Sequence, residues 1–158
     1  MKKINLKLIA RSVVDDFNNI YEAKRGIKIM LNDQDDQDDQ GEYFINGIEN
    51  RIEQIIANLL DNSISFSEDN KKILVEIYKG DKDKIILKII DEGKGFKETD
   101  TKKIFNRFYS NRPDTFGEHS GLGLNIVKNL VDLHSATINA SNNASQKGAN
   151  VEIVFPKV

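Results

Sequence analysis

Five apolar residues, Ile52, Ile55, Ile56, Leu59 and Leu60, recur at helical spacing through RIEQIIANLLDNSISFS (51–67). A stripe of that length demands a larger apolar surface to bury it, so the segment predicts an amphipathic helix at the centre of the fold. Asn58 and Asn62 stand four residues apart on the same helix and therefore share a face. Asparagine has only middling helix propensity, so two in mid-helix need a reason beyond helix formation. Two readings stand open at this point. One is an ordinary solvated face; the other is a pair of neutral oxygen donors suited to Mg²⁺, which keeps several waters and takes further oxygens from substrate phosphates.

The length of 158 residues fits one domain, 1–158, with a proper core. A net charge of −2 gives no basic footprint, so nucleic acid is not an expected partner. The absence of cysteine removes disulfides, thiolate zinc sites and cysteine nucleophiles together. No apolar run approaches the roughly 18 residues that span a bilayer, and the basic start lacks a signal-peptide core. The segment is expected to be soluble and cytoplasmic. Only two histidines are present, His119 and His134.

Upstream of the central helix, a helical stripe runs from Leu6 to about Lys24 and stops at Gly26. Short strand-like runs follow at 27–31 and 43–45. The acidic stretch between them (32–41) carries five aspartates without the spacing of a calcium loop, and reads as a solvated loop. Downstream, 73–79 and 84–90 flank a Gly-Asp-Lys-Asp turn and predict a hairpin. The second strand runs directly into DEGKGF (91–96). A short helix holding Ile104, Phe105 and Phe108 comes next, then a polar loop at 109–120. The glycine-rich start of GLGLNIVKNLVDLH (121–134) opens another helix, and 136–141 with 150–155 form a last hairpin around the turn region 142–148. Helices early, middle and late among mostly antiparallel strands argue for an α+β two-layer sandwich: about five strands in a mixed sheet, packed on about three helices.

Three constellations carry chemistry. Besides Asn58 and Asn62, Asp91 at a strand end can accept a hydrogen bond from an exocyclic amine, and Gly93 and Gly95 let backbone approach a ligand closely. The glycines of SGLGL (120–124) expose unpaired amides at a helix N-terminus, a site for anions. Each is weak alone, since turn residues after a strand and a flexible helix start are ordinary. Their order is specific. With NLLDN (58–62), DEGKGF (91–96), IFNRFY (104–109) and SGLGL (120–124) in sequence, the chain resembles the catalytic, ATP-binding domain of bacterial sensor histidine kinases, whose fold is of the Bergerat (GHKL) type. The resemblance runs from about Asn5 to Pro156. NSISFS (62–67) and RFYSNRPDTFG (107–117) are similar in detail to the alphaproteobacterial acid-responsive sensors.

The resemblance implies a set of roles. Asn62 would be the principal Mg²⁺ ligand, with Asn58 beside it assisting metal or phosphates. Asp91 would take the adenine amino group, while Gly93 and Gly95 let the chain pass the base. Gly121 and Gly123 would bring amides to the phosphates and hinge an ATP lid at about 99–120. Phe96, Phe108, Tyr109, Ser120, Leu122 and Leu124 complete the implied nucleotide-contacting set. Arg107 would reach the γ-phosphate; for Arg112 a solvated loop charge is the plainer reading. Phe105 and Phe108 fit simple core packing as well as a lid anchor. Two positions depart from the family: Ser65 stands where a basic residue often contacts phosphate, and His134-Ser135-Ala136 replaces the common His-Gly-Gly.

Hydrolysing relatives of this fold place a glutamate four residues before the metal asparagine, as general base for water. Asn58 occupies that position, and an amide cannot accept the proton. The resemblance therefore implies transfer of the γ-phosphoryl group of ATP to a histidine on a separate dimerisation domain of the same kinase, with a response regulator downstream. His119, in the lid, and His134, at a helix end, are not expected to be that acceptor. The expectation is the monomeric catalytic part of a sensor anchored in the inner membrane through other segments. The alternatives are a nucleotide-binding module that transfers no phosphate, and a protein-serine kinase of the anti-sigma type.

Overall fold

A computed structural model describes residues 1–32, 43–96, 104–105, 122–143 and 147–158. Strand β1 (Lys2–Asn5) leads into helix α1 (Leu6–Arg25). Asn5 caps that helix, its Oδ1 accepting from the amides of Lys7 (3.0 Å) and Leu8 (3.4 Å), and Gly26 ends it in the left-handed conformation at φ 66°. Strands β2 (Lys28–Asn32) and β3 (Phe44–Gly47) precede helix α2 (Glu49–Phe66). Strands β4 (Lys72–Lys79) and β5 (Ile85–Asp91) follow it, then helix α3 (Leu122–Leu133), β6 (Thr137–Asn142) and β7 (Ala149–Phe155).

Five strands form one sheet in the order β2-β4-β5-β7-β6, antiparallel throughout except for β2 against β4. The expected mixed sheet on three helices is therefore what forms. One segment sits elsewhere than its sequence suggests. The strand near Tyr43 joins no main sheet; β3 pairs with β1 in a separate antiparallel ribbon, Ile4 opposite Ile45. The four residues of β1 before Asn5 carry too little alternation to announce a strand. The edge strand β2 is blunted by Asn18 of α1, whose amide accepts from Ile29 N–H (2.8 Å) and donates to Ile29 C=O (2.9 Å) as a neighbouring strand would.

Helix α2 touches α1, α3 and the sheet, and all five residues of its stripe are at most 2% exposed. Beneath it the inward positions of the sheet alternate strictly: Ile73, Val75 and Ile77 on β4, Ile85, Leu87 and Ile89 on β5, Val151, Ile153 and Phe155 on β7. Each such side chain contributes about 1.5–3 kcal/mol when fully buried. Strand β5 keeps this parity to its last residue, so Asp91 occupies a core position opposite Ile73. The hairpin between β4 and β5 turns through Lys82 and Asp83, both left-handed (φ 57° and 61°), with the Lys84 amide donating to Asp81 C=O at 3.2 Å. Two consecutive positive φ values make this the primed kind of turn that matches strand twist.

Candidate functional site

The site builds from the C-terminal half of α2 and the end of β5. Asn62 is buried at 5% exposure while Asn58, one turn earlier, is half-buried. A solvated face therefore does not account for Asn62. Beyond it the helix carries serines that bond back to their own turn: Ser65 Oγ donates to Asn62 C=O and Ser67 Oγ to Ser63 C=O, both at 2.8 Å. The Ser65 side chain is thus used inside the helix, where a long basic residue would reach outward. The same end of α2 is fastened by Arg25 at the end of α1. Its guanidinium donates to Ile64 C=O (2.9 Å), Ser67 C=O (2.7 Å) and Asp69 Oδ1 (2.8 Å), which satisfies carbonyls a helix end leaves unpaired.

Asp91 is 2% exposed. Its Oδ1 accepts from the amides of Gly93 (2.9 Å) and Ala149 (3.1 Å). Burial raises its pKa above the ordinary carboxylate value, against the opposing pull of those two amides and of the Ser63 hydroxyl on α2. A carboxylate disfavoured in its charged form, yet placed in the apolar row of a central strand, marks a site kept for something other than stability. Ser63, next to Asn62, ties that carboxylate to the asparagine helix.

After Asp91 the chain folds tightly against its neighbours. A Cβ on Gly93 would lie 2.6 Å from Phe66 C=O, and one on Gly95 (φ 77°) would lie 2.6 Å from Asn142 Oδ1. Both glycines thus answer to close approach within the protein. Phe96 N–H donates to Asn142 Oδ1 (2.7 Å), Asn142 Nδ2 donates to Phe96 C=O (3.1 Å), and Asn143 Nδ2 donates to Asp91 C=O (3.1 Å). Phe96 itself is 6% exposed and joins the core.

On the other side, α3 begins at Leu122, with Leu124 buried at 7% and the Cβ direction of Gly123 open, nothing lying within 4 Å. Unfilled space beside the first turn of a helix leaves backbone amides approachable to an anion. Ile104 and Phe105 are buried at 0% and 7%, and Asn125 Nδ2 of α3 donates to Phe105 C=O at 3.1 Å. Core packing thus holds for Phe105. Arg107, Phe108, Tyr109, Arg112, His119, Ser120, Gly121 and most of the expected lid and acidic loop lie outside the described residues.

His134, just past α3, is 3% exposed. Its Nε2 accepts from the Ile48 amide at the start of α2 (3.2 Å), and Nδ1 lies 2.7 Å from Leu130 C=O. The tautomer that serves both contacts carries its proton on Nδ1. With both ring nitrogens engaged inside the protein, His134 offers none to a phosphoryl group.

Sequence reading missed five participants: Arg25, Ser63, Asn142, Asn143 and Ala149. Arg25 reads as an ordinary basic residue in the last turn of a helix. Asn142 and Asn143 read as turn residues. Only Ser63 carried a signal, its place beside Asn62.

Residues 47–158 match the family described as histidine kinase-, DNA gyrase B-, and HSP90-like ATPase. The sensor protein ChvG of Rhizobium meliloti (strain 1021) is 32% identical over 150 residues, which cover 93% of this chain and 26% of that protein. ChvG of Agrobacterium fabrum is likewise 32% identical, over 92% of this chain and 25% of its own length. The chain thus spans about a quarter of these relatives. Among solved structures, the nucleotide-free catalytic domain of histidine kinase ThkA superposes with a TM-score of 0.81 at 24% identity, covering 99% of this chain and 95% of that one. ThkA in complex with the response regulator protein TrrA gives a TM-score of 0.75 at 22% identity, over 99% of this chain and 42% of that one. At those identities the likeness to solved structures is one of fold.

Proposed function

The chain belongs to the family of histidine kinase-, DNA gyrase B- and HSP90-like ATPases, and from that premise we propose that it is the Mg-ATP-binding catalytic domain of a two-component sensor histidine kinase. It would pass the γ-phosphoryl group of ATP to a histidine on a separate dimerisation domain. The observation that carries the reading is Asp91, a carboxylate 2% exposed in the core row of β5 and oriented by the amides of Gly93 and Ala149. A buried acceptor built to meet an exocyclic amine rejects a base that presents a carbonyl there, so Asp91 selects adenine.

Asn62 would hold the metal, with Asn58 assisting at the phosphates. When bound, Mg²⁺ bridges phosphate oxygens and neutralises their charge. The residues present fit that group: a buried amide oxygen donor on α2 faces chemistry that needs hard oxygens and spare water positions. Gly123 and its neighbours Ser120, Gly121, Leu122 and Leu124 would offer amides and a wall to the phosphates. Arg107, Phe108 and Tyr109 would belong to the lid over them. Asn58, where hydrolysing relatives have a glutamate, withholds a base from water and favours delivery of phosphoryl to another group.

The partners under this reading are the histidine-bearing domain of the same kinase and, after it, a response regulator. No helix among the described residues is long and apolar enough to cross a membrane; a cytoplasmic, monomeric catalytic domain of a membrane-anchored sensor is the arrangement proposed. Ser65, with its hydroxyl turned back onto Asn62 C=O, is the observation that favours a second reading, a nucleotide-responsive module that transfers no phosphate. Incubation with a histidine-bearing dimerisation domain and labelled ATP separates the two. Acid-labile phosphate on that domain supports the kinase; ATP binding without transfer to it favours the module.

A further inference from the structure

The proposed base-reading segment, 91–96, is not held by its own strand alone. It is gripped from outside by the turn between β6 and β7. Asn142 takes both main-chain groups of Phe96, accepting at 2.7 Å and donating at 3.1 Å. Its neighbour Asn143 donates to the carbonyl of Asp91 itself at 3.1 Å. The far side of the turn adds the Ala149 amide on Asp91 Oδ1 at 3.1 Å, and Gly148 packs so closely on Asp91 C=O that a Cβ there would collide with it. Both ends of the segment are therefore pinned by consecutive asparagines, one at the carboxylate and one at the aromatic end.

We propose that Asn142 and Asn143 are positioning residues for purine recognition: they clamp the 91–96 segment so that the Asp91 carboxylate is pre-oriented for the amine of an adenine nucleotide. The inference rests on the Mg-ATP reading above and adds to it the element that sets base selectivity. Neither asparagine touches the reacting atoms. The segment they hold carries left-handed Gly95 (φ 77°), a conformation that a free glycine leaves readily, so the grip determines what fraction of the protein is ready to bind. Apparent affinity scales with that fraction. Asn142 suits the task as no other residue does: its amide both accepts and donates, whereas aspartate accepts only and alanine does neither.

The test measures binding of Mg-ATP, Mg-GTP and inorganic tripolyphosphate to wild type and to Asn142→Ala, Asn142→Asp and Asn143→Ala. Each lost bond corresponds to a factor of about three to ten in an equilibrium. Asn142→Ala is expected to weaken ATP about tenfold or more and Asn142→Asp about threefold, because aspartate keeps the acceptor for Phe96 N–H. Asn143→Ala is expected to fall between them. The ATP-over-GTP preference should shrink in the same order, while tripolyphosphate, which meets only the phosphate side, binds all four proteins alike. Unchanged ATP affinity and preference in the variants would overturn the clamp. So would parallel loss of ATP and tripolyphosphate binding, which would make the asparagines mere supports of the fold. A wild type that binds ATP and GTP equally would instead refute the reading of Asp91 on which the clamp depends.

Discussion

Asp91→Asn should move stability and nucleotide binding in opposite directions. Asparagine keeps an oxygen for the amides of Gly93 (2.9 Å) and Ala149 (3.1 Å) and removes a charge from a position 2% exposed. The new amide donor also finds a partner, because the Ser63 hydroxyl now facing the carboxylate can turn and accept. Replacing a buried group retained for function typically returns about 0.5–2 kcal/mol of stability. Binding loses a charged acceptor and gains a donor facing a donor. A hydrogen bond to a charged group is worth about 1.5–3 kcal/mol, so ATP affinity should fall by about 10- to 150-fold. The pH dependence has a definite sign. The folded pKa of Asp91 is raised above 3.8 by burial, so between those two values the native state binds more protons than the unfolded chain. Wild-type stability from this group therefore falls as pH rises through that window, and the advantage of Asp91→Asn grows with it, vanishing at lower pH. Urea unfolding at several pH values and calorimetric ATP titration measure both effects. A variant that is less stable at neutral pH, or whose advantage ignores pH, or that binds ATP as wild type does, would refute the reasoning.

Arg25→Ala removes two charged bonds to main-chain carbonyls at the end of α2 and an ion pair with Asp69, whose side chain is 66% exposed. The exposed pair contributes little, so the carbonyl bonds dominate and the expected loss is about 2–3 kcal/mol by urea unfolding. Arg25→Lys should recover less than half, since one ammonium cannot span three acceptors; full rescue by lysine would contradict the fork geometry. In the β4–β5 turn, Lys82→Asn with Asp83→Gly should stabilise by about 1 kcal/mol, because both positions are left-handed (φ 57° and 61°). A lower melting temperature for the double variant would show the turn to be different in solution.

The helix that organises the chain was legible because its signal is physical and local. Ile52 through Leu60 announce a buried stripe, and every one of them is buried. The sheet was legible for the same reason, since alternation in β4, β5 and β7 is strict. Strand β1 was not, because four residues cannot show a period and its partner lies some forty residues away in β3. The site divides along the same line. Asp91, Asn62 and Gly123 sit in motifs whose order along the chain is itself informative. Arg25, Asn142 and Asn143 act across long separations, on backbone groups that no spacing encodes: Arg25 reaches Ser67, and Asn142 reaches Phe96. Ser63 lies between the cases, visible beside Asn62 yet meaningful only once β5 brings Asp91 against α2.

The central claim is that Asn62 on α2 and Asp91 on β5 together form a Mg-ATP site. Calorimetric titration of ATP into wild type and Asn62→Ala, each with and without Mg²⁺, tests it most directly. The account predicts that Mg²⁺ strengthens ATP binding to wild type and that this response is lost in Asn62→Ala, while metal-free ATP still binds the variant through Asp91. A Mg²⁺ response that survives intact in Asn62→Ala, or a wild type that binds no ATP, would contradict it.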